Sequence, residues 1–194
     1  MKLIKLYQKL LKKYGKQHWW PTKSKNKKSE IIIGAILAQR TSWKNAELAI
    51  ENLRKNNLLD LNKLAKFNIK DIEKLVKPSG FYKQKARRIL RISKYLSKYN
   101  LREFFSRDLE TIRNELLSIK GIGFETADSI LLYAGDKLIF PVDAYTFRIF
   151  KKFGYFDKFD YEKIRKFIEK NIPGRLNIYK EFRALLVRFG KSMK

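Results

Sequence analysis

The stretch LLSIKGIGFETADSILLYAG, from Leu116 to Gly135, decides the fold of this chain. The chain has only 9 glycines among 194 residues, yet Gly121 and Gly123 flank a single isoleucine within this stretch. Apolar residues at helical spacing run up to the pair and resume directly after it. The pattern predicts two helices joined by a tight turn, a helix–hairpin–helix, over about residues 109–134.

The hairpin is a candidate phosphate-binding site. Both glycines can adopt backbone angles closed to other residues, and they place no Cβ between the chain and an approaching surface. The amides before the second helix have no helical partner, and a phosphate oxygen is their natural ligand. A tight turn that needs glycine only for its own geometry is the alternative. The basic composition favours DNA phosphate at Lys120, Gly121 and Gly123.

The composition points to a nucleic-acid partner. The formal net charge is +26, from 45 Lys and Arg against 19 Asp and Glu, and such an excess favours a polyanion. A ribosomal or chromatin protein, or adaptation to a hot or salty cytoplasm, would share this composition. The chain has no cysteine, which excludes disulfides, thiolate catalysis and an iron–sulfur cluster. The single histidine, His18, argues against a histidine metal site.

Almost every segment is predicted to be helical, and alternation typical of strands is nearly absent, so we expect an all-α fold. One lobe would comprise residues 26–134 and contain the helix–hairpin–helix. Residues 1–25 and 135–194 would form the second lobe, with the crossing near the basic stretch KSKNKKS. No signal peptide and no apolar run of membrane-spanning length is recognised, and we expect a protein of the cytoplasm or nucleoid that contacts no membrane.

Three segments in a fixed order resemble the helix–hairpin–helix (HhH-GPD) DNA glycosylases of the endonuclease III superfamily. They are GAILAQRTSW, SGFYKQKARRI, and the hairpin followed by PVDAYTFRIF. The last segment supplies Val142, Asp143 and Arg148 of a V-D-x-x-x-x-R motif. The resemblance implies a two-lobed helical fold in which the second lobe carries a catalytic aspartate and the damaged base enters the cleft between the lobes.

The resemblance also implies a monovalent cation at the hairpin, Na⁺ or K⁺. By position, the backbone carbonyls that hold it would be those of Leu117, Ile119 and Ile122. No other cofactor is expected.

Asp143 is the candidate catalytic residue. A helix N-cap is the ordinary role of an aspartate that follows Pro-Val and begins a helix. The functional interpretation is that its carboxylate stabilises positive charge on the sugar during cleavage of an N-glycosidic bond and orients the attacking water. The family motif favours this second interpretation.

Glu125 occupies the position at which strand-cutting members of the family carry a lysine. That lysine attacks the sugar and forms a Schiff base, which a carboxylate cannot do. The resemblance therefore implies an enzyme that leaves an abasic site without lyase activity. Glu125 either adds a charge to the helix N-terminus or lines the pocket.

All three tryptophans lie in two segments that border the pocket of this family, Trp19 and Trp20 in HWWPT and Trp43 in RTSW. Core packing is the alternative for each of them. Together they predict a stacking box for an extruded base. Indole faces favour a cationic base, such as 3-methyladenine, through cation–π attraction. The W-W-P segment and the glutamate after the hairpin resemble the 3-methyladenine DNA glycosylase subgroup, which lacks an iron–sulfur cluster. That subgroup has an aromatic such as phenylalanine where Trp43 stands.

Two further residues would hold the duplex open. By position in the family pattern, Gln39 fills the gap left by the extruded base and Phe81 wedges into the stack. The alternatives are a polar helix end for Gln39 and a helix-start contact with the core for Phe81. A basic run follows Phe81, and its members either contact DNA phosphate or lie on a solvated face. Lys83 and Arg87 are the expected phosphate contacts. That run comprises Lys83, Lys85, Arg87, Arg88 and Arg91.

The sequence thus predicts a monomeric, monofunctional DNA glycosylase of base excision repair that acts on alkylated purines in double-stranded DNA. A glycosylase for uracil, mismatched thymine or oxidised bases is one alternative, since a single aspartate serves all of these reactions. A non-catalytic helix–hairpin–helix DNA-binding protein is the other.

Overall fold

A computed structural model describes residues 2–193, which form twelve α-helices, one short 3-10 helix (Lys77–Ser79) and no β-strand. The expected all-α fold is confirmed. No helix within this range is both long enough and apolar enough to cross a membrane. In chain order the helices are α1 (Leu3–Tyr14), α2 (Lys27–Leu37), α3 (Trp43–Lys55), α4 (Leu61–Lys66), α5 (Ile69–Val76), α6 (Tyr82–Leu96), α7 (Leu101–Ser106), α8 (Leu109–Ser118), α9 (Phe124–Tyr133), α10 (Ala144–Lys152), α11 (Tyr161–Asn171) and α12 (Leu176–Ser192).

Side-chain caps fix the starts of several helices, as their sequences predict. The Ser42 hydroxyl accepts a hydrogen bond from the Asn45 amide at 3.3 Å at the start of α3. Asp108 accepts one from the Thr111 amide at 2.9 Å at the start of α8, the first helix of the hairpin motif. These caps satisfy amides that have no partner within the helix and set where each helix begins.

Helices α2 and α9 form the centre of the molecule and are buried along most of their length. They run antiparallel, as two contacts at opposite ends show. Gln39, just after α2, donates a hydrogen bond to the Thr126 hydroxyl in the first turn of α9. Lys28, in the first turn of α2, donates to the carbonyl of Ala134 after the last turn of α9. The hairpin and the end of α2 therefore share one face of the molecule.

The remaining helices pack in two groups. Helices α3 and α6 contact α2, α4 and α5 pack on α6, and α8 pairs with α9. Helices α1 and α10 pack on α12, which also contacts α9. Division of the chain into lobes at residues 26 and 135 stays a prediction.

A buried ionic network joins the hairpin helices to α11. Asp128 of α9 is fully buried and accepts hydrogen bonds from Arg113 at 2.7 and 3.1 Å and from the Tyr161 hydroxyl at 2.7 Å. Arg113 also donates to Glu162 at 2.5 Å. This network holds α8, α9 and α11 in a fixed arrangement below the hairpin.

Candidate active site

Asp143 lies immediately before α10 and is 7% exposed. Its Oδ1 accepts hydrogen bonds from the amide and the hydroxyl of Thr146, at 2.7 and 2.8 Å. Its Oδ2 lies 3.2 Å from Nη2 of Arg183 on α12. The predicted helix cap is therefore present, and the cap together with the ion pair fixes the orientation of the carboxylate.

Arg183 connects Asp143 to Glu125. The same Nη2 atom lies 3.3 Å from Oε1 of Glu125, in the first turn of α9. The Arg183 side chain is 13% exposed, and its Nε is buried with no hydrogen-bond partner among residues 2–193. Sequence reasoning missed this residue, because nothing in the apolar α12 pattern distinguishes it from the rest of the 45 Lys and Arg residues. Only the fold brings it between the two carboxylates.

The environment of Glu125 differs from that of Asp143. Although 54% of the Glu125 side chain is open to solvent, protein surrounds the carboxylate on its other sides. This partial desolvation raises the pKa of Glu125; Arg183 opposes the rise and Asp143 adds to it. The position therefore holds a partly exposed carboxylate next to a fixed one.

The structure brings the three tryptophans together. The ring centroids of Trp19 and Trp43 lie 4.4 Å apart, those of Trp20 and Trp43 5.5 Å, and those of Trp19 and Trp20 5.1 Å. Trp20 lies directly on α2, where a Cβ at Gly34 would come within 3.0 Å of its Cζ2. The indoles are partly buried rather than enclosed in the core. Each indole therefore keeps some exposed surface in addition to its packing contacts.

Tyr133 connects this tryptophan cluster to the charged residues. Its ring packs on that of Trp20, with centroids 5.4 Å apart. Burial raises the pKa of the Tyr133 hydroxyl, which also feels the opposing charges of Arg183 and Asp143. Tyr133 thus connects the tryptophan cluster to the Asp143 carboxylate, and the sequence did not identify Tyr133 as a site residue.

A cavity of about 480 Å³ opens on Trp19, Trp20 and Tyr133. Neither Asp143 nor Glu125 lines it. Its other lining residues are His18, Thr22, Lys27, Lys28, Ile31, Ala134, Asp136 and Lys180. The residues predicted for the base pocket therefore do not all surround one open cavity.

The two hairpin glycines serve different purposes. Gly121 has φ of +99°, and a Cβ there would lie 2.7 Å from Cγ of Arg88. Gly123 has φ of −99°, an angle open to any residue, and a Cβ there would meet nothing within 4 Å. The expectation that both glycines need special backbone angles is therefore wrong for Gly123, which instead faces open space beside the exposed Lys120.

The predicted gap-filling and wedge residues lie on the hairpin face. Gln39 donates to Thr126 at 2.8 Å and accepts from Arg88. Phe81 is 57% exposed, which excludes the alternative of a core contact at the helix start. The Arg40 guanidinium lies 5.9 Å from the Phe81 ring centroid. An exposed phenylalanine beside an arginine is suited to contact with DNA.

Most residues of the predicted basic run are exposed, but Arg88 is partly buried and Lys85 is buried. Lys83 and Arg87 lie on the exposed face of α6. A groove of about 430 Å³ between α6 and the hairpin is lined by Gln84, Arg87, Arg88, Arg91, Lys120 and Gly121, with no acidic residue. Lys85 is only 1% exposed, so the expectation of a solvated or phosphate-binding side chain is wrong for this member of the run.

The hairpin carbonyls are compatible with a monovalent cation. The Ile119 carbonyl accepts a hydrogen bond from the Ile122 amide at 2.9 Å, which closes the turn and leaves a second lone pair. The Leu117 carbonyl belongs to the last turn of α8, where carbonyls lack helical donors. The cation itself stays a prediction. No group of acidic and histidine side chains within residues 2–193 is arranged to hold a metal ion.

Comparison with known proteins agrees with this architecture. The family model described as "HhH-GPD superfamily base excision DNA repair protein" matches residues 33–174. A proposed DNA repair glycosylase of Methanocaldococcus jannaschii is 44% identical over 195 residues, which cover 98% of this chain and 87% of that protein. Endonuclease III of Thermotoga maritima is 27% identical over 163 residues, covering 84% and 73% of the two chains.

Solved structures give the same result. The H. pylori 3-methyladenine DNA glycosylase MagIII, in a crystal structure bound to 1,N6-ethenoadenine, superposes with a TM-score of 0.87 and 29% identity, covering 100% of this chain and 99% of that one. A trapped covalent endonuclease III–DNA intermediate gives a TM-score of 0.79 at 17% identity, over 97% and 84% of the chains. The second likeness concerns the fold alone.

Proposed function

The chain belongs to the HhH-GPD superfamily of base excision DNA repair proteins, and on this premise we propose that it is a monofunctional DNA glycosylase for alkylated, 3-methyladenine-like purines. It would turn the damaged nucleotide out of double-stranded DNA and hydrolyse the N-glycosidic bond, leaving an abasic site. The observation that carries the proposal is a cluster of three partly buried indoles, one of which packs on Tyr133, whose hydroxyl feels the charge of the fixed Asp143 carboxylate.

The substrate class follows from aromatic faces and local charge. Three indoles offer stacking and cation–π attraction to a flat cationic base. Asp143, Glu125 and Arg183 together carry a net charge of −1 when both carboxylates are ionised. That charge favours a cationic alkylpurine over its undamaged neutral counterpart. The full-length similarity to the H. pylori 3-methyladenine DNA glycosylase supports the same class.

Asp143 would carry the chemistry. As the glycosidic bond lengthens, positive charge develops on the sugar, and a fixed anion nearby lowers the barrier. The contacts of Asp143 with Thr146 and Arg183 already set its orientation, so little reorganisation is needed when the charge appears. The remaining lone pairs of the carboxylate can orient the attacking water.

Glu125 supports hydrolysis without strand cleavage. A carboxylate cannot form an imine with the sugar, and no lysine replaces it at this point of α9. Through its contact with Arg183 it would balance charge beside Asp143.

The hairpin face would hold the DNA. Lys120 and the exposed Gly121 and Gly123 would meet one phosphate, and Lys83 and Arg87 others. Gln39 and Phe81 would occupy the space left in the stack. The carbonyls of the hairpin would hold the cation, which adds positive charge close to a phosphate.

One observation favours a second substrate class, neutral alkylated purines such as 1,N6-ethenoadenine. Departure of a neutral base leaves negative charge on the purine, which needs a hydrogen-bond donor. Arg183 is such a donor, and it lies beside Asp143. Against this, its contacts with two carboxylates already engage one terminal nitrogen.

A panel of duplexes tests the proposal. It contains one 3-methyladenine, 7-methylguanine, 1,N6-ethenoadenine, hypoxanthine, uracil or 8-oxoguanine per duplex, and base release is followed in single turnover. We expect fastest release of the cationic methylpurines, an alkali-labile product, and no adduct trapped by borohydride. Fastest release of a neutral base would move the assignment to the second class. A trapped adduct would contradict the monofunctional assignment, and no release from any duplex would favour a DNA-binding protein without catalysis.

A further inference from the structure

Lys85 of α6 is a buried cation that the proposed chemistry does not use. It is 1% exposed and ranks among the largest fully buried side chains of the protein. Its Nζ donates hydrogen bonds to the carbonyl of Leu37 at 2.9 Å and to that of Ser79 at 2.6 Å. Both acceptors belong to the main chain. Because burying an ammonium group is unfavourable unless donors and acceptors are matched, this placement calls for a reason beyond packing.

Each of the two carbonyls belongs to the last residue of a helical segment, and each segment leads into a turn that we expect to face DNA. Leu37 is the last residue of α2, two positions before Gln39. Ser79 ends the 3-10 helix, two positions before Phe81. One ammonium group therefore connects the backbone just before the predicted gap-filling residue to the backbone just before the predicted wedge.

The chain turns sharply after each contact. Arg40 and Phe81 both have positive φ, 50° and 47°, a conformation that non-glycine residues adopt only when their surroundings impose it. On the outside, the Arg40 guanidinium lies against the Phe81 ring. On the inside, Lys85 joins the backbones that lead into the same two turns. The turns are thus held together from both sides.

A lysine suits this position for physical reasons. Carbonyls at the end of a helix lack helical donors and carry partial negative charge, so a cation is their best partner. The flexible ammonium group can reach two carbonyls that face it from different directions, whereas a guanidinium is planar. Burial lowers the pKa of Lys85 to about 8, with nearby Arg88 as a lesser cause.

We propose that Lys85 is a positioning residue that sets the spacing between the Gln39 and Phe81 turns, so that the two side chains enter the duplex together. The inference rests on the proposed function, because it assumes that these two turns meet DNA. It predicts that Lys85 acts on base extrusion and not on general attraction to DNA.

The test compares Lys85→Met, which keeps the length and loses the donor, with Lys94→Met, which removes the same charge from an exposed position of α6. Affinity is measured for an undamaged duplex and for the same duplex with a tetrahydrofuran abasic-site analogue, well below the unfolding temperature of each variant. Extrusion is followed by the fluorescence of 2-aminopurine beside a 3-methyladenine. If Lys85→Met does not fold, the same measurements are made on Lys85→Arg, which keeps the charge.

We expect Lys85→Met to lose about 10-fold or more of the preference for the abasic duplex, with affinity for undamaged DNA within about 2-fold. Lys94→Met should retain the preference. In a Gln39→Ala background the effect of Lys85→Met should shrink, since the two changes act on one contact. Lys85→Arg should retain part of the preference.

Three outcomes would overturn the inference. Full preference in folded Lys85→Met, or effects that simply add in the Gln39→Ala background, would reduce Lys85 to a structural residue. If the unaltered protein itself shows no preference for the abasic duplex, then the proposed function fails and the inference fails with it. The unaltered protein is therefore measured first.

Discussion

Replacing Arg183 by methionine removes the one cation between Asp143 and Glu125. At an effective dielectric constant of about 20, each contact is worth about 4 kcal/mol before desolvation. Desolvation of the guanidinium offsets most of this, and the exposed Glu125 contributes under about 1 kcal/mol. We therefore expect a net loss of about 2–3 kcal/mol in unfolding free energy, which lowers Tm by about 4–12 °C.

The catalytic effect should be larger than the loss of stability suggests. Without Arg183, only Thr146 holds the Asp143 carboxylate, and Oδ2 is free to turn toward solvent. A misplacement of about 1 Å can slow a reaction by about 100-fold, so we expect a 10- to 100-fold fall in the single-turnover rate. DNA affinity should change by less than about 3-fold, since the Arg183 side chain is only 13% exposed and two carboxylates already pair with it.

The assay is base release from a 3-methyladenine duplex, with enzyme in excess, at a temperature where each variant is folded. Arg188→Met is the matched control, because Arg188 is an exposed arginine on the same helix. Arg183→Lys should recover part of the rate, since it restores the charge but not the planar geometry. An unchanged rate in folded Arg183→Met would refute the argument that this ion pair orients the carboxylate.

Three further changes probe the surroundings of the site. Asp128→Asn should lower the unfolding free energy by about 3 kcal/mol in urea denaturation, because Arg113 loses its buried charged partner; a loss under about 1 kcal/mol would contradict the network. Glu125→Gln should raise Tm at neutral pH, since the raised pKa of Glu125 means that its ionised form destabilises the fold. The gain in Tm should vanish below about pH 4, where the Glu125 carboxyl is protonated in both the folded and the unfolded protein. A gain that persists in acid would argue against the ionised carboxylate as its cause. Gly34→Ala should shift tryptophan fluorescence and slow alkylpurine release several-fold, because the new Cβ displaces the Trp20 indole. Tm should change little, since alanine favours the helix by about 1 kcal/mol relative to glycine. Unchanged fluorescence would show that Trp20 does not lie on Gly34.

The sequence predicted the elements that depend on local chemistry. The helix–hairpin–helix over about residues 109–134 and the helical character of almost every segment follow from signals within a few residues of each position. The mutual contact of the tryptophans agrees with their placement in two short segments, although their role in binding a base stays a prediction.

What the sequence did not predict depends on distant contacts. Lys85 sits in a run of basic residues whose pattern is that of an exposed face, and only the approach of α2 and the 3-10 helix buries it. Arg183 and Tyr133 reach Asp143 through the packing of α12 on α9 and α10. A charge count cannot distinguish a buried arginine from an exposed one, since burial depends on which helix packs against the arginine in the folded protein.

The most direct test of the account is the single-turnover release of 3-methyladenine by Asp143→Asn, which keeps the cap geometry and removes the charge. We predict a rate lower by about 100- to 1000-fold, with affinity for an abasic-site duplex within about 3-fold of the unaltered protein. A rate equal to that of the unaltered protein would contradict the claim that this carboxylate stabilises the developing charge on the sugar.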